Sequence, residues 1–540
     1  MDEGDNAITN LGARARCTLM RAPLDYANPA LGELQVALLR VSAEQPQQRM
    51  GAILFNPGGP GSDGLTLGAE YADLWAIANP NNPTGKQLKD LGNRYDMVGF
   101  SPRGVGASSA LTCTSNELLR IQDDLTFYRS PENIKNAQFN ARLEAQTCLK
   151  NPLAKHIHTD ATARDMDLVR SLLGDAKLNY IGYSYGTWLG AWYASLFPER
   201  VGRMLLDSNM NVAGSFDDAN LGSEMGRHRV MDDIVFTYTA RHAPLFNLGS
   251  NASQIKSRFS ALAPGLKSET MALMNLNNAQ DFDLNPLRIT AAVGLQALRQ
   301  TMPQASPASM EAAIQTYTFT SGRYNAVAAS LATQLNTKLS TPKVRERVVV
   351  KPDDAVHTSV VCNDMATVGD EQRWTDLGNE YAARYPLTGG GSTANPCLYW
   401  GAPYGSKPPL SQAAKAGPLL MLQSRFDAPT PIEGALKTLD ALPNARMIVI
   451  ENEYSHGLFP YNTACVDGQV ADYFLNGNVP PRTSACAGKP LPADASVSAP
   501  APASRKAQSV PATGTYTDPE KAEEKMRRIH KRIGEASRRP

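Results

Sequence analysis

Residues 178–197 read LNYIGYSYGTWLGAWYASLF. A short apolar run with strand character ends at Gly182-Tyr183-Ser184-Tyr185-Gly186, and an apolar run of helical length follows at once. A turn this sharp brings neighbouring backbones too close for side chains, hence a glycine two residues to either side of the serine. It also leaves the serine oxygen exposed at the edge of a sheet, facing the amino end of a helix that favours developing negative charge. Ser184 is therefore a candidate nucleophile. Further apolar runs flank this element: LQVALLRVSA at 34–43, GAILF at 51–55, YDMVGF at 95–100, MLL at 204–206, LLML at 419–422 and MIVI at 447–450. Helical spacing at 161–173 separates strands, and such alternation predicts an α/β protein, a mostly parallel sheet with helices on both faces.

Between 209 and 397 the strand pattern fades and helical patterns dominate, as at 308–315 and 324–335. The expected organisation is a sheet core over 1–208, a mainly helical insertion or cap over 209–397, the rest of the core over 398–488, and a linker with a basic tail over 489–540. The stretch 490–519 is rich in Pro, Ala, Ser and Thr, too poor in large apolar residues to pack a core. Residues 518–540 carry eight Lys/Arg against five Asp/Glu, with Met526, Ile529 and Ile533 at helical spacing. Such a segment reads as a solvated tail, or as an amphipathic helix touching an anionic surface.

Composition narrows the classes. The 540 residues exceed the roughly 150 of a typical domain several-fold, and 42% hydrophobic with 19% charged residues rules out global disorder. Lys and Arg total 53 against 52 Asp and Glu, so there is no cationic footprint for nucleic acid. No run of 18 apolar residues predicts a membrane-crossing helix, and the opening MDEGDNAITNLGARARC shows no secretory signal. Seven cysteines without a CxxC argue against a zinc cage and for at most three disulfides, with scattered buried thiols as the alternative. No metal or cofactor is expected.

A serine hydroxyl needs a base, and of seven histidines His456, in Glu453-Tyr454-Ser455-His456-Gly457 after the MIVI strand, is best placed to reach the elbow. An imidazole needs a carboxylate to hold its tautomer, and Asp427, in SRFDAPTP after the LLML strand, is the candidate. The chain order Ser184, Asp427, His456 is that expected of an α/β-hydrolase. An oxyanion hole would draw on the N–H of Tyr185 and on Gly58 or Gly59 in NPGGPG, directly after GAILF. A phosphate-cradling loop is the weaker reading, since no GK[ST] follows.

With those residues in view the chain resembles a family. Cys17 with APLDY at 22–26, the NPGGPG loop, DMVGFSPRGVGASS at 96–109, GYSYGT with FPER at 197–200, and FDAPTP are similar to secreted tripeptidyl aminopeptidases, α/β-hydrolases related to proline iminopeptidases. The resemblance covers roughly 15–487 and implies an exported serine exopeptidase, secreted or periplasmic, that removes short peptides from free N-termini under a helical cap. It also implies disulfides pairing Cys113 with Cys148, Cys362 with Cys397 and Cys465 with Cys486, leaving Cys17 over. Such an enzyme must hold an α-ammonium group by a charge-assisted bond, for which Glu224, Asp232, Asp233 and Asp364 are candidates. The competing expectations are a carboxylic-ester hydrolase with the same triad, a prolyl aminopeptidase releasing one residue, and a catalytically silent binding module.

Overall fold

The structure, a computed structural model, describes residues 3–279, 281–498 and 514–537. Its strands are β1 (Ala15–Pro23), β2 (Glu33–Val41), β3 (Ala52–Asn56), β4 (Asp96–Phe100), β5 (Cys113–Leu118), β6 (Leu178–Tyr183), β7 (Val201–Asp207), β8 (Arg347–Val350), β9 (Leu419–Ser424), β10 (Ala445–Glu451) and β11 (Thr483–Ala487). Nine form one sheet in the order β1-β2-β4-β3-β6-β7-β9-β10-β11, and β5 pairs with β8 apart from it. The sheet is antiparallel only where β1 meets β2 and β2 meets β4; every other pair is parallel. The mostly parallel sheet expected from the sequence is thus present.

Strands covered on both faces have no need of polar alternation, which is why β3, β4, β6 and β9 are buried throughout. Alternate side chains enter opposite cores: Leu54, Val98, Tyr180 and Met421 face one, Ile53, Phe55, Ile181, Tyr183 and Leu422 the other. A third apolar core lies in the helical region, from Val230 to Leu335, and takes in Ala428. Within 209–397 the later helix Pro352–Asp364 behaves differently. Its Ala355, Val356 and Val360 pack into the core beside the sheet rather than into the helical one.

Several residues that carry the family resemblance meet in one buried knot. Arg103 is wholly buried and holds Asp165 through two bonds, Nη2 to Oδ1 at 2.6 Å and Nε to Oδ2 at 2.7 Å, while Tyr26 donates to the same carboxylate at 2.8 Å. The pair ties the β1–β2 hairpin to the body. Three disulfides join Cys113 to Cys148, Cys362 to Cys397 and Cys465 to Cys486, the pairs that the resemblance implies, and Cys17 is exposed on β1. No helix among the described residues is long and apolar enough to cross a membrane.

The helix Pro519–Ala536 departs from the expected solvated or membrane-touching tail. Its Ala522, Met526, Ile529 and Ile533 are buried in the same core as Phe55, Leu422 and Phe459, so the apolar stripe covers the protein's own body. Just before it, Asn79 donates to the Thr515 carbonyl at 2.8 Å and Thr517 to that of Ile77 at 2.9 Å, with a bridge between Ala78 and Tyr516. Arg532 pairs with Glu70 at 2.7 Å and Lys525 with Asp73. Sequence periodicity revealed the stripe; its partner surface is non-local.

Two outcomes are expected. Arg103→Leu leaves Asp165 buried without its counter-ion and should lower unfolding free energy by about 3–5 kcal/mol in denaturant titration. Burial, aided by Lys489, pushes the His530 imidazole down to about 4. An unfolded histidine takes its proton near pH 6.5, so this group's contribution is intact above that pH and is lost as pH falls from 6.5 towards 4. Melting curves of His530→Gln should therefore show a shallower loss over that window than the parent; parallel curves refute the assignment.

Candidate active site

The order β6-β7-β9-β10 sets four carboxyl-terminal strand ends side by side, and each delivers one residue of the site. Ser184 follows β6 with φ 56° and ψ −122°, a region side chains avoid at a cost of about 1–3 kcal/mol. The turn is held by bonds on both sides. Ser184 N–H donates to the Asp207 carbonyl at 3.0 Å, and its own carbonyl accepts from Thr187 N–H at 2.8 Å and Thr187 Oγ1 at 2.6 Å.

His456 and Asp427 are paired and wholly buried. Nδ1 lies 2.9 Å from Asp427 Oδ1 and 3.0 Å from Oδ2, and Thr430 N–H donates to Oδ1 at 2.8 Å. This engagement turns Nε2 away from the carboxylate, and Nε2 is buried with no hydrogen-bond partner among the described residues. Ser184 Oγ and Nε2 are therefore not bonded to each other here, in keeping with catalytic contacts that tighten only when substrate binds.

What brings the serine and the histidine together is Asp207, at the end of β7. Its carboxylate accepts Leu458 N–H at 3.0 Å and Phe459 N–H at 2.8 Å, and neighbouring Ser208 Oγ accepts Gly457 N–H at 2.7 Å. The loop after His456 is thereby bonded to the same residue whose carbonyl holds Ser184. Burial pushes the Asp207 carboxyl up to about 7, although the Phe459 and Leu458 amides pull it down. The Tyr183 and Tyr71 hydroxyls lie 2.8 and 2.6 Å from the Phe459 carbonyl and close to one another, so their two protons are shared between that carbonyl and the contact between the hydroxyls. Before the histidine, Glu453 accepts the N–H groups of Tyr454 and Ser455 at 2.8 Å each. Sequence reading missed Asp207; its place at the carboxyl end of a strand next to the elbow was the available clue.

The NPGGPG loop packs against the elbow. Gly58 has φ +101°, and a Cβ there would stand 2.5 Å from the Tyr183 carbonyl oxygen and 2.9 Å from Ser184 Cβ. Its N–H donates to Asn56 Oδ1 at 3.0 Å, whereas Gly59 lines the cavity that exposes Ser184. Tyr185 opens the helix Tyr185–Leu196, so its N–H has no intrahelical acceptor.

That cavity, of about 160 Å³, adjoins a larger one of about 690 Å³, and Asn220, Ser223, Arg227 and His357 line both. Of the four carboxylates proposed for an α-ammonium group, Glu224 alone lines either cavity. Its oxygens accept Gly390 N–H at 2.9 Å, Ser392 N–H at 3.0 Å and Ser392 Oγ at 2.7 Å. Asp364 is buried behind the elbow helix, bonded to Thr159 and to Trp188 Nε1 at 3.2 Å, and burial raises it to about 7. Asp232 pairs with Lys256 at 2.6 Å and Asp233 is exposed, so these three are not brought to the cavity. Arg227 and His357 went unassigned in the sequence because nothing in their neighbours marks a cavity wall.

A family model described as the alpha/beta hydrolase fold matches residues 51–460. The chain belongs to the α/β-hydrolase fold family. Among relatives of this hydrolase, the tripeptidyl aminopeptidase of Streptomyces lividans is 28% identical over 504 residues, covering 89% of this chain and 86% of the relative. The serine protease Hip1 of Mycobacterium tuberculosis is 25% identical over 526 residues, covering 89% of each. Carboxylesterase B of the same species is 28% identical over 484 residues, covering 88% of this chain and 86% of the relative. The expected fold class and the family resemblance hold.

If Asp207 anchors the hydrolase's histidine loop, Asp207→Ala should strip acceptors from two buried N–H groups and lower stability by about 2–5 kcal/mol in denaturant titration. The rate at which a fluorophosphonate labels the folded variant should fall more than about tenfold; parent-like labelling would show that the loop holds without it.

Proposed function

We infer that the protein is a serine exopeptidase that cleaves short peptides from free N-termini by way of an acyl-enzyme. The observation that carries this is the convergence of a strained Ser184 and a buried His456–Asp427 pair on Asp207, beside a cavity in which a carboxylate, Glu224, is held by its own hydrogen bonds. The relatives named tripeptidyl aminopeptidase and serine protease support the same chemistry.

In the proposed mechanism Ser184 Oγ attacks the scissile carbonyl while His456 Nε2 takes its proton. Asp427 holds Nδ1–H and favours the imidazolium that forms. The N–H groups of Tyr185 and Gly59 receive the oxyanion; removing one such donor typically costs about 3–4 kcal/mol of transition-state stabilisation. The imidazolium then protonates the leaving amine, and water, activated by the same base, releases the acyl group. Glu224 receives the substrate α-ammonium in the larger cavity, and residues 209–397 serve as the cap that encloses it. Three disulfides fit a secreted or periplasmic protein.

Assays with a tripeptide anilide, its N-acetylated form and a nitrophenyl ester test this reading. Ser184→Ala should lower kcat for the free-amine anilide by about 10⁴-fold or more. Glu224→Gln should raise KM for the free-amine anilide by about tenfold and leave the ester unaffected, since a charge-assisted bond to the ammonium is what it removes. Turnover of the ester alone in the parent chain would favour the carboxylic-ester hydrolase, and equal effects of Glu224→Gln on both substrates would remove Glu224 from this role.

A further inference from the structure

The helix Pro519–Ala536 supplies none of the groups that act on the substrate, yet it reaches the active centre from two directions. Its apolar face lies under the loop that carries His456. Gly457 has φ +79°, and a Cβ on it would stand 2.5 Å from Ile533 Cγ2, so the residue beside the histidine is in close contact with this helix. Ile533 is wholly buried and His530 faces the carbonyls of Leu458 and Pro460.

Its last turn goes further. Ala536 and Ser537 line the 160 Å³ cavity together with Ser184 and Gly59. The Ser537 carbonyl accepts a hydrogen bond from Arg227 Nη2 at 2.8 Å, across 310 positions of sequence. Arg227 belongs to the helix Phe216–Arg229, which borders both cavities. One side of the pocket beside Ser184 is therefore closed where a helix of the insertion meets the end of a distant helix. A charge-assisted bond to a main-chain carbonyl survives changes of side chain, which suits a fixed wall.

We propose that Ala536 and Ser537 are specificity-determining residues: the end of the helix Pro519–Ala536 limits the size of the group that can occupy the pocket beside Ser184. The proposal rests on Ser184 as the nucleophile, but not on which substrate class it serves. A small side chain at 536 and a bonded carbonyl at 537 leave room for compact groups and exclude branched or aromatic ones.

The test compares three chains: the parent, one ended after Glu535, and Ala536→Phe. The shortened chain keeps Met526, Ile529 and Ile533, so the helix retains its buried face. Labelling of Ser184 is timed with a methyl-bearing and a biphenyl-bearing fluorophosphonate, and the ratio of the bulky to the compact rate constant is read. That ratio should rise by about tenfold in the shortened chain and fall by about tenfold in Ala536→Phe, the scale at which pocket walls discriminate apolar groups. An unchanged ratio in both variants, or a change of equal size with both probes, overturns the proposal. Labelling of the parent with no hydrolysis of anilide or ester would defeat the exopeptidase reading while leaving this ratio decisive; no labelling of the parent overturns both.

Discussion

The structure turns on one buried carboxylate. Asp207 ends a central strand and binds the backbone of the loop that follows His456, while its carbonyl holds the strained turn at Ser184. Taking a charge out of water is costly, and burial accordingly raises its pKa to about 7. Bonds from Leu458, Phe459 and Ser208 offset it. The return is geometric: side chains 272 positions apart in the chain are referred to a single residue, so neither can drift without breaking buried hydrogen bonds. The two tyrosines on the Phe459 carbonyl and Glu453 before the histidine tighten the same loop.

Around this fixed centre the remaining elements shape access. Parallel strands send their carboxyl ends to one edge of the sheet, and in the order β6-β7-β9-β10 that edge carries Ser184, Asp207, Asp427 and His456 in adjacent places. The helical region adds a third core and the wall bearing Glu224, while Pro352–Asp364 packs against the body and contributes His357. The backbone N–H of His456 donates to the Asn277 carbonyl at 2.8 Å, so the helical region and the histidine loop touch directly. A change in the helical region can thus reach His456 without passing through the sheet.

How much of this was legible depends on where each preference arises. Strands such as β3 and β6 are readable because burial on both faces leaves an unbroken apolar run. The edge strands β1 and β11 escape because exposed residues such as Arg16 and Thr483 dilute the pattern. Ser184, Asp427 and His456 were legible because each sits in a short, unusual setting directly after an apolar run. The four carboxylates proposed for an ammonium group were locally alike, and nothing in their neighbours told a cavity wall from a surface pair with Lys256 or a buried bond to Thr159.

By itself, then, the sequence determined the alternating strands and helices, the elbow and its partners in chain order, and the amphipathic stripe near the end, because propensity, periodicity and turn chemistry act over a few residues. Tertiary structure alone decided that Asp207 binds the histidine loop, that Glu224 rather than Asp232, Asp233 or Asp364 lines the cavity, and that Ile529 and Ile533 cover the body instead of meeting solvent. Those outcomes depend on which surfaces, hundreds of residues apart, come into contact, and burial and hydrogen-bond satisfaction are properties of that contact, not of either segment.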